Sequence, residues 1–106
     1  MINYESFCTQ LDDELLKFGF NKEVFVYSTY YMLGKFVLFK IEQGFDKKDI
    51  WYRNTLHGYM NRVMFNKNLE TIEHEWNKVN SAIINVIEDY KKYHVQNKLN
   101  DINKDF

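Results

Sequence analysis

Lys22-Glu23-Val24-Phe25-Val26-Tyr27-Ser28-Thr29-Tyr30-Tyr31-Met32-Leu33-Gly34-Lys35-Phe36-Val37-Leu38-Phe39-Lys40-Ile41-Glu42-Gln43 is the stretch on which the fold turns. Its Val, Ile, Tyr, Phe and Thr content favours strand on propensity, and a hairpin turning at Gly34-Lys35 would fit it. The spacing points the other way. Val26, Tyr30, Leu33, Val37 and Ile41 recur three and four residues apart, as on one face of an α-helix. Asn21 can cap the start and Gly44 the end. The spacing predicts a helix over 22–43, with a β-hairpin, and hence an α+β fold, as the alternative.

Upstream, Tyr4, Phe7, Cys8, Leu11, Leu15 and Phe18 fall at helical offsets. Asn3 is a capping candidate. Gly19 fits the left-handed position after the last turn, letting Phe20 fold back onto the helix end. Downstream, Tyr52, Leu56, Tyr59, Met60 and Val63 suggest a third helix from about Lys47 to Phe65, with Asp46 as its N-cap and Gly58 at a close helix contact. The strongest pattern is Leu69, Ile72, Trp76, Val79, Ile83, Val86, Tyr90 and Tyr93. It is an a/d heptad seam capped by Asn68, and it packs in the monomer core or pairs with a second copy in a homodimer through 69–93. The expectation is an all-α fold, a small up-down bundle of about four helices. Residues 1–96 form the single helical domain and 97–106 a polar, frayed tail.

The totals narrow the function. The chain has 106 residues, 45% of them hydrophobic and 27% charged, which is the composition of one globular domain. The net charge of −1 lacks both the basic excess of a duplex-binding protein and the acidic excess of a nucleic-acid mimic. Cys8 is the only cysteine, so there is no intramolecular disulfide and no zinc framework. The first residues carry no signal-peptide pattern, and Lys35 and Lys40 interrupt the apolar-rich stretch from Val24 to Ile41. No membrane association and a reducing cytoplasm are therefore expected. The scarcity of Ala and Arg beside abundant Asn, Lys, Ile, Tyr and Phe is the bias of an A/T-rich genome, as in low-GC bacteria and their phages.

Motifs for chemistry are few. Glu70, Glu73 and His74 share a helix start, but His74 points away from the seam, and no metal site or cofactor is expected. Cys8 lies on an apolar stripe and reads as a small hydrophobe. No phosphate loop or nucleophile elbow is present. Tyr52-Arg53-Asn54-Thr55-Leu56-His57-Gly58-Tyr59 resembles the Arg-Asn…His stretch of HEPN-type ribonucleases, with three intervening residues where that family has four to six. The resemblance implies a small helical ribonuclease or toxin with Arg53 and His57 at its centre, one turn apart on one helix face.

Two binding surfaces remain. Lys35, Lys40, Lys47, Lys48, Arg53, Arg62 and Lys67 offer a basic patch for a nucleic-acid-binding regulator. Phe25, Met32, Phe36 and Phe39 would lie on the polar side of the second helix, with Trp51 and Phe65 off the stripe of the third. Exposed aromatics and Met are the residue types of protein interfaces. The leading expectation is a non-enzymatic module that binds and blocks a protein partner. Its most concrete version is a phage- or mobile-element-encoded inhibitor, anti-CRISPR-like or immunity-like.

Overall fold

The structure is a computed structural model and describes residues 4–44, 48–64 and 69–104. Helix α1 (Tyr4–Lys17) leads into five strands: β1 (Asn21–Val24), β2 (Ser28–Leu33), β3 (Phe36–Gln43), β4 (Lys48–Arg53) and β5 (Met60–Arg62). Helix α2 (Leu69–Lys104) follows. The strands form one antiparallel meander in the order β1-β2-β3-β4-β5. The fold is therefore α+β, and the all-α bundle of four helices is overturned.

The error lies in the middle of the chain. Residues 22–43 form the two strand pairs β1–β2 and β2–β3 instead of a helix. The apparent helical stripe mixed both sheet faces: Leu33 and Ile41 are buried, Tyr30 and Val37 lie on the opposite face, and Val26 is in a turn. A β-bulge also masks the strand period. Between Tyr31 and Met32 the register with β3 shifts from Phe39 to Val37, so Leu38 and Phe39 are both buried and the two-residue alternation breaks. Gly34 supplies the positive φ, 58°, that a tight two-residue hairpin turn requires at its first central position. The third expected helix is instead β4, a loop over 54–59 and β5. Ile50, Trp51 and Tyr52 are strand formers, and Gly58 sits in a turn closed by its N–H on the Thr55 carbonyl at 3.3 Å.

Both outer helices are present, but α2 continues to Lys104, through most of the stretch 97–106 expected as a frayed tail. Phe7, Leu11 and Leu15 of α1 are buried. At its end the Gly19 N–H donates to the Leu16 carbonyl (3.1 Å) and the Phe20 N–H to the Leu15 carbonyl (3.0 Å). Gly19 has φ 89°, and Phe20 turns back into the core. These paired bonds are a Schellman cap. Of the α2 seam, Ile72, Val79, Ile83 and Val86 are buried in the core of this chain, and Trp76, Tyr90 and Tyr93 pack against the same core. The capping candidates Asn3, Asp46 and Asn68 lie outside the described residues.

Both helices cover one face of the sheet. On that face Tyr31, Phe39 and Tyr52 stand in register across β2, β3 and β4. The Tyr31 hydroxyl donates to Asp12 of α1 at 2.6 Å, the Phe7 ring meets Trp76 of α2 at 5.1 Å, and Tyr52 faces α2. The other face is left uncovered: Tyr30, Met32, Lys40, Trp51, Arg53 and Met60 there are only half-buried and Arg62 is exposed, whereas Tyr31, Phe39, Ile41, Ile50 and Tyr52 on the helix side are buried.

Candidate functional site

Strand alternation assigns the uncovered face. One row crosses all five strands in register: Glu23, Tyr30, Lys40, Trp51 and Arg62. Arg53, two residues along β4 from Trp51, shares its face and pairs with Met60. Tyr30, Lys40, Trp51 and Arg53 are half-buried, and Arg62 is exposed. The Lys40 ammonium pairs with Glu42 at 3.0 Å. The indole N–H of Trp51 and the Nε–H of Arg53 are buried without a hydrogen-bond partner. Such a donor costs about 1–3 kcal/mol.

The β1–β2 turn is the second feature. Val24, Phe25, Val26 and Tyr27 are 70%, 50%, 83% and 58% exposed. The Phe25 N–H donates to the Ser28 carbonyl at 2.7 Å, and the Gln43 N–H holds the Tyr27 carbonyl at 2.8 Å. The turn is thus tied to β3 while its side chains point outward. Phe25 leans on Tyr30, ring centroids 5.0 Å apart, so the tip is continuous with the uncovered face. None of its residues has a positive φ, which both twist-matched two-residue hairpin turns require. Neither turn geometry nor the core accounts for four apolar residues here.

Beside α2 lies a cleft of about 520 Å³ lined by Tyr52, Asn54, His74, Asn77, Lys78 and Ser81. Next to it the buried carboxylate of Glu75 accepts the Met64 N–H and the Lys78 ammonium, both at 3.3 Å. Burial, then the charge of Glu75, pushes the Tyr52 hydroxyl pKa up.

Asp12, Lys22 and Tyr31 join α1 to the sheet. Burial alone would raise the Asp12 carboxyl pKa. Hydrogen bonds from Lys22 and Tyr31 and the Lys22 charge outweigh it, and the value falls. The Lys22–Asp12 pair is 2.7 Å long. Burial and then Asp12 push Tyr31 up. Burial also raises the Cys8 thiol pKa, only partly offset by a hydrogen bond with Tyr4.

The residues expected to contact a partner are dispersed. Phe25 is exposed at the hairpin tip, and Met32 and Trp51 lie on the uncovered face. Phe39 is fully buried against Phe20, ring centroids 5.6 Å apart, and belongs to the core. Phe36 packs edge-on against His57 (5.3 Å) and Tyr93 (5.1 Å), with the Lys35 ammonium 5.5 Å from its ring. Phe65, Lys47 and Lys67 lie outside the described residues. Lys40 and Arg62 share the row, whereas Lys48 is exposed on the helix-side face at the start of β4 and Lys35 is held in the β2–β3 turn, so the described basic residues do not form one patch.

Arg53 and His57 do not share a helix face. Arg53 ends β4, and His57 sits in the following loop against Phe36. The helical scaffold implied by the ribonuclease resemblance is replaced here by sheet. Val24, Val26, Tyr27 and Tyr30 were missed as surface residues. A strand reading of 21–33 would have flagged a turn without Gly, Asn or Asp. No three His, Cys, Asp or Glu among the described residues are grouped to hold a metal, and no described helix is long and apolar enough to cross a membrane. The chain matches no model of a known protein family, no curated protein and no solved structure.

Proposed function

We propose that the chain is a non-enzymatic protein-interaction module that inserts the β1–β2 tip into an apolar recess of a protein partner. The observation that carries this reading is the run Val24–Tyr27, four consecutive large apolar residues exposed at the end of an edge hairpin. Contiguous exposed apolar surface marks interaction sites, and aromatic anchors dominate binding energy once desolvated. Support also comes from the tip's anchorage. Its backbone is held at Ser28 and Gln43, so little ordering entropy is lost on docking. An inhibitor encoded by a phage or mobile element is the version that the composition favours.

The test compares the protein with Val26→Asp and Tyr27→Ser. Both side chains are exposed, so each variant should melt within a few degrees of the parent. Each should lose a partner that the parent retains stoichiometrically. A partner held equally well by both variants would place the binding site elsewhere.

A further inference from the structure

The geometry points to a second site: we propose that the uncovered sheet face binds single-stranded nucleic acid along the strip Tyr30, Lys40, Trp51 and Arg62, with Arg53 beside it. The strip alternates ring and cation across β2, β3, β4 and β5. Neighbouring strands lie about 4.8 Å apart, so each ring has a cation on the adjacent strand. A nucleotide chain brings one flat ring and one phosphate per unit and matches that alternation. An acidic peptide supplies the anions without a ring at every step.

Charge at the β4–β5 end is available for such a ligand. The chain has two arginines, Arg53 and Arg62, and both lie on this face. Neither has a carboxylate partner among the described residues; Lys40 is the strip's ion-paired cation. The guanidinium fork suits phosphate oxygens better than an ammonium does. The buried, partnerless N–H groups of Trp51 and Arg53 give these side chains an energetic reason to turn toward an acceptor brought to the face. The acidic residues of the face are Glu23, Glu42 and Asp49, all toward its other side or end. Phosphates therefore run over Arg53 and Arg62 while bases stack on Trp51 and Tyr30. Stacking also explains how a chain of net charge −1 could bind. A duplex buries its bases and demands a basic excess, whereas a single strand gains about 1–3 kcal/mol per stacked base.

The test is fluorescence anisotropy of the full chain with labelled oligothymidylate of about 12 nucleotides at low salt. Binding is expected to weaken as salt rises, with a log–log slope of about −1.4 for two phosphate contacts. Arg53→Ala/Arg62→Ala should flatten that slope and weaken binding about 10-fold or more. Trp51→Phe should bind more tightly than Trp51→Leu, which keeps bulk without a ring. Three results would overturn the proposal: no anisotropy change up to about 100 µM protein, affinity unchanged in the arginine variant, or equal competition by a duplex or by polyglutamate. Val26→Asp should leave oligonucleotide binding intact, so this site and the hairpin tip succeed or fail separately.

Discussion

Gly34 and Tyr90 are in such close contact that a Cβ at Gly34 would stand 2.6 Å from the Tyr90 hydroxyl oxygen. The β2–β3 turn is therefore seated on α2, and the sheet's position along the helix is read at one atom. Gly34→Ala should be destabilising twice over. The φ of 58° costs a residue with a Cβ about 1–2 kcal/mol, and the phenol must move. Tyr90→Phe removes the clashing oxygen, so the double variant should be less destabilised than the sum of the two singles, as measured by urea unfolding. Strict additivity would mean that the turn does not rest on the ring.

Asp12 ties α1 to the sheet through Lys22 and Tyr31, and its carboxyl pKa is depressed in the fold. The folded state thus favours the charged form. That stabilisation is complete above the unfolded value of about 3.9 and is lost as pH falls through the folded value. On acidification below about pH 4, the protein should lose more stability than Asp12→Asn, in which this contribution is absent at every pH. At neutral pH Tyr31→Phe should cost about 1.5–3 kcal/mol, the range for a hydrogen bond to a charged group. Parallel pH–melting curves for the protein and Asp12→Asn would remove Asp12 from the account.

The ends of the chain were legible because their signals agreed. Gly19 and Phe20 marked a cap that forms bond for bond, and the Ile72–Val86 seam had no competing period. In the middle of the chain two signals conflict, strand propensity and helical spacing. Strand propensity was right for 22–43. The three-and-four spacing arose from residues of both sheet faces counted as one stripe, and the bulge at Leu38 and Phe39 broke the competing two-residue period. The site suffered accordingly. Phe39, expected on an exposed helix face, is core, whereas Phe25 is exposed and Trp51 half-buried outside the core. Tyr30 and Arg62 come together only through strand pairing across 32 positions of sequence, which helical spacing does not reveal.

Glu75 is buried at the junction of β5 and α2, where it accepts the Met64 N–H and Lys78. Glu75→Ala would strand the Met64 amide and should cost about 1–3 kcal/mol. Glu75→Gln keeps an acceptor oxygen and should cost less. Amide exchange at Met64 is the direct readout: fast in Glu75→Ala and slow in Glu75→Gln. Equal protection in both would show that the carboxylate does not hold this junction.

Phe36 and Phe39 lie three residues apart and would be neighbours on a helix, yet on β3 they have unequal burdens. Phe39 is fully buried, pressed against Phe20 and paired in register with Tyr31 and Tyr52. Phe36 is half-buried at the sheet's end, bounded by His57, Tyr90 and Tyr93. Removing the Phe39 ring leaves a cavity that the sheet above and the helices below cannot easily close, so Phe39→Ala should cost about 3–5 kcal/mol. A domain this small has about 5–15 kcal/mol in all, and the variant should be marginal. Phe36→Ala forfeits edge contacts worth about 0.5–1.5 kcal/mol each and leaves a site open to solvent, so it should stay folded with a smaller loss. Urea unfolding followed by helical circular dichroism separates the two. Equal losses would mean that the aromatic cluster on α2 contributes as much as the sheet's own core.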